Sequence, residues 1–197
     1  MRQAAFGTSV VFALGCGGSA SADEGPRLPY TDVGACPFEC CVYREWQAFA
    51  QVPAYEAPDN AAAIAFHIAH NESVTAETGQ VVTIRAGVKE VRKAATIGFP
   101  VKPSASPTER HLHVKPGDKL YSLHYVGEGY ELFWYEGALY QDEIAEYRDG
   151  HGNLDPNRVT DEVSRAEYVW WVRVRTKEGK VGWVRNPESF NNMDACG

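Results

Sequence analysis

The sequence has no basic excess, no long apolar run and no assembled set of catalytic residues, and each absence excludes something. With 19 Lys and Arg against 26 Asp and Glu, the chain carries a formal charge of −7. A general nucleic-acid surface needs a basic face to meet phosphates, so nucleic acid is not an expected partner. No apolar run reaches the roughly 20 residues that cross a bilayer as a helix. The cysteines of CPFECC lack the separated C-x2-C pairs of a structural zinc site. His67 and His70, and His111 and His113, have no identifiable third ligand. Asp149, Asp155 and Asp161 lack the closing Glu of a calcium loop. No carboxylate pair singles itself out for glycoside hydrolysis, and no Cys–His pairing for nucleophilic catalysis. The chain therefore reads as non-catalytic, with no metal and no cofactor.

What is present points to an all-β chain. The 18 Gly, 11 Pro, 10 Tyr, 8 Phe and 5 Trp suit short strands joined by many turns. Val42–Gln51 reads as a strand running into the turn residues of VPAYEAPDN. Ala62–Ile68 has a helical composition but sits among strand-like neighbours. Ser73–Ala76 and Gln80–Arg85 alternate, with Thr78-Gly79 as the expected hairpin turn between them. The segment from Gly98 to His111 carries three prolines, which makes residues 101–110 the expected linker between domains. Beyond it, strands are broken at Pro116-Gly117-Asp118 and Gly127-Glu128-Gly129. Residues 146–167 are polar and acidic and read as a long loop. Two alternating strands follow around the turn at Lys177–Lys180, with Val172 and Val174 on one face and Arg173 and Arg175 on the other.

Residues 1–15 join one positive charge at Arg2 to a short apolar stretch and a small-residue end, the make-up of an export signal. Cys16 follows directly. The arrangement resembles the lipobox of bacterial lipoproteins, which implies a lipid on Cys16 and attachment to a membrane of the cell envelope. The alternative is an ordinary signal peptide cut near Ala20 or Ala22. Residues 16–35 then form a tether. In an oxidising compartment the remaining cysteines, Cys36, Cys40, Cys41 and Cys196, are expected to pair. Cys40 and Cys41 are neighbours, a strained pairing. This leaves Cys36–Cys41 with Cys40–Cys196, or Cys36–Cys40 with Cys41–Cys196.

The segment WWVRVRTKEGKVGWV, with Trp171, Val174, Gly179, Gly182, Trp183 and Val184, resembles the closing hairpin of bacterial SH3-like domains. In that likeness Gly179 serves the turn, Gly182 the barrel corner, and Trp183 packs across the barrel. VPAYEAPDNAAAIAFHIAHNESV resembles the opening of another such domain. Together they imply two small SH3-like β-barrels in tandem. The first would lie in residues 36–100 behind a cysteine-rich opening. The second would lie in 111–197, with loop 146–167 inserted. Such domains are usually binding modules. Adjacent aromatics such as Trp134–Tyr135 and Trp170–Trp171 cannot both face inward on a regular strand, so one of each pair is expected to be exposed or to cover a seam between the barrels. The expected ligand groove is Tyr125, Trp134, Tyr135 and Trp170, presented to a cell-wall (peptidoglycan) peptide or another envelope protein. The alternative is an adaptor whose barrels pack together without a groove.

Overall fold

A computed structural model describes residues 25–101, 111–144, 151 and 153–196; the leader, Cys16 and nearly all of the expected linker lie outside them. The described residues form strands and no helix. In chain order the strands are β1 (Tyr30–Val33), β2 (Glu45–Ala48), β3 (Val52–Tyr55), β4 (Ile64–Ile68), β5 (Ser73–Arg85) and β6 (Gly87–Val91). Next come β7 (Ala95–Ile97), β8 (Phe99–Pro100), β9 (Leu112–Val114), β10 (Lys119–Gly127) and β11 (Tyr130–Tyr135). The last five are β12 (Ala138–Asp142), β13 (Thr160–Ser164), β14 (Glu167–Thr176), β15 (Val181–Arg185) and β16 (Phe190–Asn191).

The first sheet is curled and runs β16-β2-β5-β14-β15-β3-β4, with β1 also beside β5. The second runs β13-β6-β10-β11-β12-β8, and β7 pairs with β9 alone. These sheets do not divide the chain at residues 101–110. The long strand β5 pairs with β14 from Arg85↔Glu167 to Val74↔Thr176. Every strand of the second sheet leaves and returns between those two neighbours. The order is therefore nested, where the sequence suggested two units in tandem. Each sheet has its own core. Trp46, Ile68, Val74, Val81, Trp170, Val172, Val174 and Val184 fill the first, and Val91, Leu120, Phe133, Tyr135 and Ile144 the second.

Three local expectations change. The first concerns β5, which runs straight through Thr78-Gly79 with no hairpin turn. Its partner β14 spans the whole length, and the irregularity is a register shift between Arg173 and Val174 that leaves Glu77 as the extra residue. Glu77 takes both Arg173 and Arg175, the latter at 2.5 Å. A second change is in the stretch 146–167, which contains the strand β13, paired with β6. Alternation is weak in TDEVS because this is an edge strand, with Val163 exposed and Asp161 and Glu162 half-buried against Arg158 and Arg165. The third is Trp183, which does not enter the core. Its neighbour Val184 is fully buried there, while Trp183 lies on the opposite face in register with Tyr55. Gly179 does turn the hairpin, at φ +84°, and a Cβ on Gly182 would sit 3.0 Å from Ala54 Cβ and Phe66 Cε1.

The opening segment and the tail are bound to each other. Disulfides join Cys36 to Cys41 and Cys40 to Cys196, with Cα separations of 5.6 and 5.7 Å; this is one of the two pairings left open by the sequence. Val42 N–H donates to the Met193 carbonyl at 2.9 Å, and Ala195 N–H to that of Cys40 at 2.8 Å. Trp46 sits where these meet, with rings of Tyr43, Trp170 and Phe190 within 6.0 Å.

Gly79 explains how the opening segment lies so close to β5. A Cβ there would fall on Tyr43 Oη and lie 2.7 Å from Trp170 Nε1 and 3.0 Å from the Ala35 carbonyl. Tyr43 donates to that carbonyl and accepts from Trp170 Nε1 at 3.2 Å. Burial pushes the Tyr43 phenol up to about 12, so its proton stays in place. Gly79→Ala is expected to cost about 1–3 kcal/mol by overpacking. Urea unfolding should show a smaller cost in a Tyr43→Phe background, where the hydroxyl that the methyl strikes is gone. An equal cost in both backgrounds would refute the contact.

Candidate functional site

The site grows out of the junction of the two sheets. Val81 and Trp170 face each other in the first core, and two residues further along the same face stand Thr83 and Tyr168. Asp32 of β1 lies opposite Val81 and so shares that face. Strand β10 of the second sheet packs here. The Thr83 hydroxyl donates to the Leu123 carbonyl at 3.0 Å, and His124 Nε2 lies 2.9 Å from Asp32 Oδ2. The His124 ring also meets Tyr168 edge-on at 6.0 Å. A register shift between Ser122 and His124 lets three consecutive residues be buried, which regular alternation would forbid.

Beside His124 lies a cleft of about 200 Å³, walled by Lys89, Ser122, Tyr125, Glu131 and Tyr168. Lys89 is only 2% exposed. Its ammonium reaches Glu131 Oε1 at 2.9 Å and the Ile144 carbonyl at 3.1 Å. The Ser122 hydroxyl donates to the other oxygen of Glu131 at 2.5 Å. One carboxylate thus neutralises the buried charge and holds the serine proton. Burial pushes the Tyr168 phenol up, and the Glu131 charge adds to that, so it remains a neutral donor.

A second, more polar cleft of about 490 Å³ opens between the disulfide-bonded segment and the β10–β11 turn, lined by Phe38, Glu39, Cys40, Gly127 and Glu128 among others. Tyr125 stands between the two clefts. Its ring borders the first, and its hydroxyl reaches Glu39 Oε1 in the wall of the second at 3.1 Å. The Tyr125 hydroxyl oxygen also accepts the Gly129 N–H at 2.9 Å.

The four aromatic residues expected to form a groove are not brought together. Only Tyr125 lines a cleft described here. Trp134 is half-buried on the face of β11 opposite its neighbours Phe133 and Tyr135. Tyr135 lies in the second core and donates to Asp118 at 3.0 Å; burial and that carboxylate raise its phenol. Trp170 lies in the first core against Phe38 and Trp46. Its neighbour Trp171 is also buried, on the other face of β14, with the Tyr55 ring at 5.7 Å. Neither member of this pair is exposed, because both faces of β14 are covered. Cys16 lies outside the described residues. Of the histidines weighed as ligands, His113 bonds Thr96 at 2.9 Å and His111 packs on Phe99.

Sequence reasoning passed over Lys89, Ser122, His124 and Glu131. One signal for Lys89 was present: in GVKEV the alternation sets it on the face of Gly87 and Val91, which is the buried one. No protein-family model, curated protein or solved structure matches the chain.

Proposed function

We propose that this chain is a non-catalytic binding module of the bacterial cell envelope, held to a membrane through lipid on Cys16, that engages a cell-wall peptide at the two clefts around Tyr125. The observation that carries this reading is the position of Tyr125, which lines the smaller cleft beside the paired Lys89 and Glu131 and reaches Glu39 in the wall of the larger one. The paired charges and aromatic rings of the smaller cleft suit peptide amides, and the Glu39 and Glu128 carboxylates of the larger one suit a peptide amine. The disulfides fit the oxidising space that such a location implies.

The SH3-like relationship is carried by the first sheet in this reading. Its signature hairpin β14–β15 lies between β5 and β3, which belong to the segment that resembles the opening of such a domain. One such barrel would then be split in sequence, with the second sheet inserted between β5 and β14.

The test is co-sedimentation of the chain from residue 17 onward with purified peptidoglycan sacculi. The expected result is a pellet for the wild type and at least a tenfold weaker one for Tyr125→Ala, with unchanged circular dichroism. Absence of a pellet across salt and pH would overturn the wall-binding reading. The adaptor reading would then stand. It is favoured by the burial of Tyr135, Trp170 and Trp171 and by the direct bonds between sheets. Its target would be sought by crosslinking in cells.

A further inference from the structure

We propose that His124 and Asp32 form a proton-held latch between the two sheets. His124 is 1% exposed, and both of its ring nitrogens have partners: Nε2 at 2.9 Å from Asp32 Oδ2, and Nδ1 at 2.7 Å from the Tyr125 carbonyl. Both partners are acceptors. A neutral imidazole has one N–H and one lone pair. Either neutral tautomer would therefore set a lone pair against an oxygen at one of these two contacts. The imidazolium alone donates to both.

The other titratable groups around the ring are paired or keep their protons. Tyr168, at the ring edge from β14, has its phenol raised by burial. Tyr30 and Tyr43, which feel the Asp32 charge, are raised as well, chiefly by burial. Across the cleft, Lys89 and Glu131 form a pair with no net charge, and at the rim Arg165 pairs with Glu162 at 2.7 Å. Loss of one ring proton removes a charge-assisted hydrogen bond and turns a buried lone pair toward an acceptor. The latch is thus closed while the ring holds both protons and released as rising pH removes one. The Thr83–Leu123 hydrogen bond between β5 and β10 then remains to join the sheets.

Asp32→Asn reverses the requirement. Its amide N–H can donate to Nε2 while Nδ1–H still serves the Tyr125 carbonyl, so the neutral ring becomes the satisfied form. The experiment measures urea midpoints of the full chain between about pH 5 and pH 8, the range in which imidazole charge changes. Wild type is expected to lose stability as pH rises across it, and Asp32→Asn to lose that fall or reverse it. Equal slopes in both proteins would overturn the latch. Ring nitrogen NMR of the wild type gives a second measure that does not depend on the variant folding. Both nitrogens should be protonated at about pH 5, and amide exchange at Leu123 should speed up when one proton leaves. A ring with one bare nitrogen at about pH 5 would equally overturn it.

Discussion

Replacement of both Cys40 and Cys196 by alanine is expected to lower the unfolding free energy by roughly 4–5 kcal/mol. The bond spans a sequence separation of 156 residues, almost the whole described chain. In the chain-entropy account, a crosslink acts by restricting the unfolded chain, and the effect grows with the logarithm of loop length. The neighbouring bond is the internal comparison. Cys36–Cys41 closes a separation of only 5 residues, so its removal should cost about 2 kcal/mol. Folded contacts differ little between the two cases. The tail keeps its backbone bonds to Cys40 and Val42, and Arg44 still reaches the Asn192 carbonyl at 2.9 Å. Denaturant unfolding of the two double variants against wild type decides the matter. Equal losses would mean that local native contacts, and not loop length, set the contribution.

Lys89→Met is expected to cost about 3–5 kcal/mol, because it strands Glu131 in a site where that side chain is 14% exposed. The lost attraction is the smaller part of this effect. The larger part is desolvation, since a carboxylate formerly offset by the ammonium is left with only the Ser122 hydroxyl. The Ile144 carbonyl loses a donor as well, although the Thr160 hydroxyl still reaches it at 3.3 Å. The pair as a whole contributes far less than either half suggests. Lys89→Met with Glu131→Leu should therefore recover most of the loss. Urea unfolding of both singles and the double closes the cycle. A double variant as unstable as the sum of the singles would show that the two groups act separately.

The all-β class was legible because Gly, Pro and aromatic residues recur at strand spacing, and β14 showed its two faces through Val172, Val174, Arg173 and Arg175. Nesting was not legible. Periodicity says that Ser73–Ala76 and Gln80–Arg85 are extended, but partner choice is a long-range property. Gly79 reads as a turn residue when it is in fact a point of close backbone approach. The aromatic groove failed for a related reason. Alternation shows that Trp170 and Trp171 point to opposite sides, but not that both sides are covered. The site residues were hidden because Lys89, Glu131 and His124 stand on three strands and acquire meaning only through their mutual distances.

The insertion between β5 and β14 also sets an order in time. When β5 has been synthesised, the strand that covers its longest edge is still residues 86–166 away. At about 5–20 residues per second, that delay is on the order of 4–16 s. Throughout it, the newly made VVTIR stretch has an open edge able to pair with a second nascent chain. The strands of the inserted sheet follow one another and can complete it within the same interval. The segment that comes later in the chain is thus the first to mature. The earlier one waits for its final strands, so a chain ended after residue 166 would hold a finished inserted sheet beside an open β5 edge, a route to aggregation.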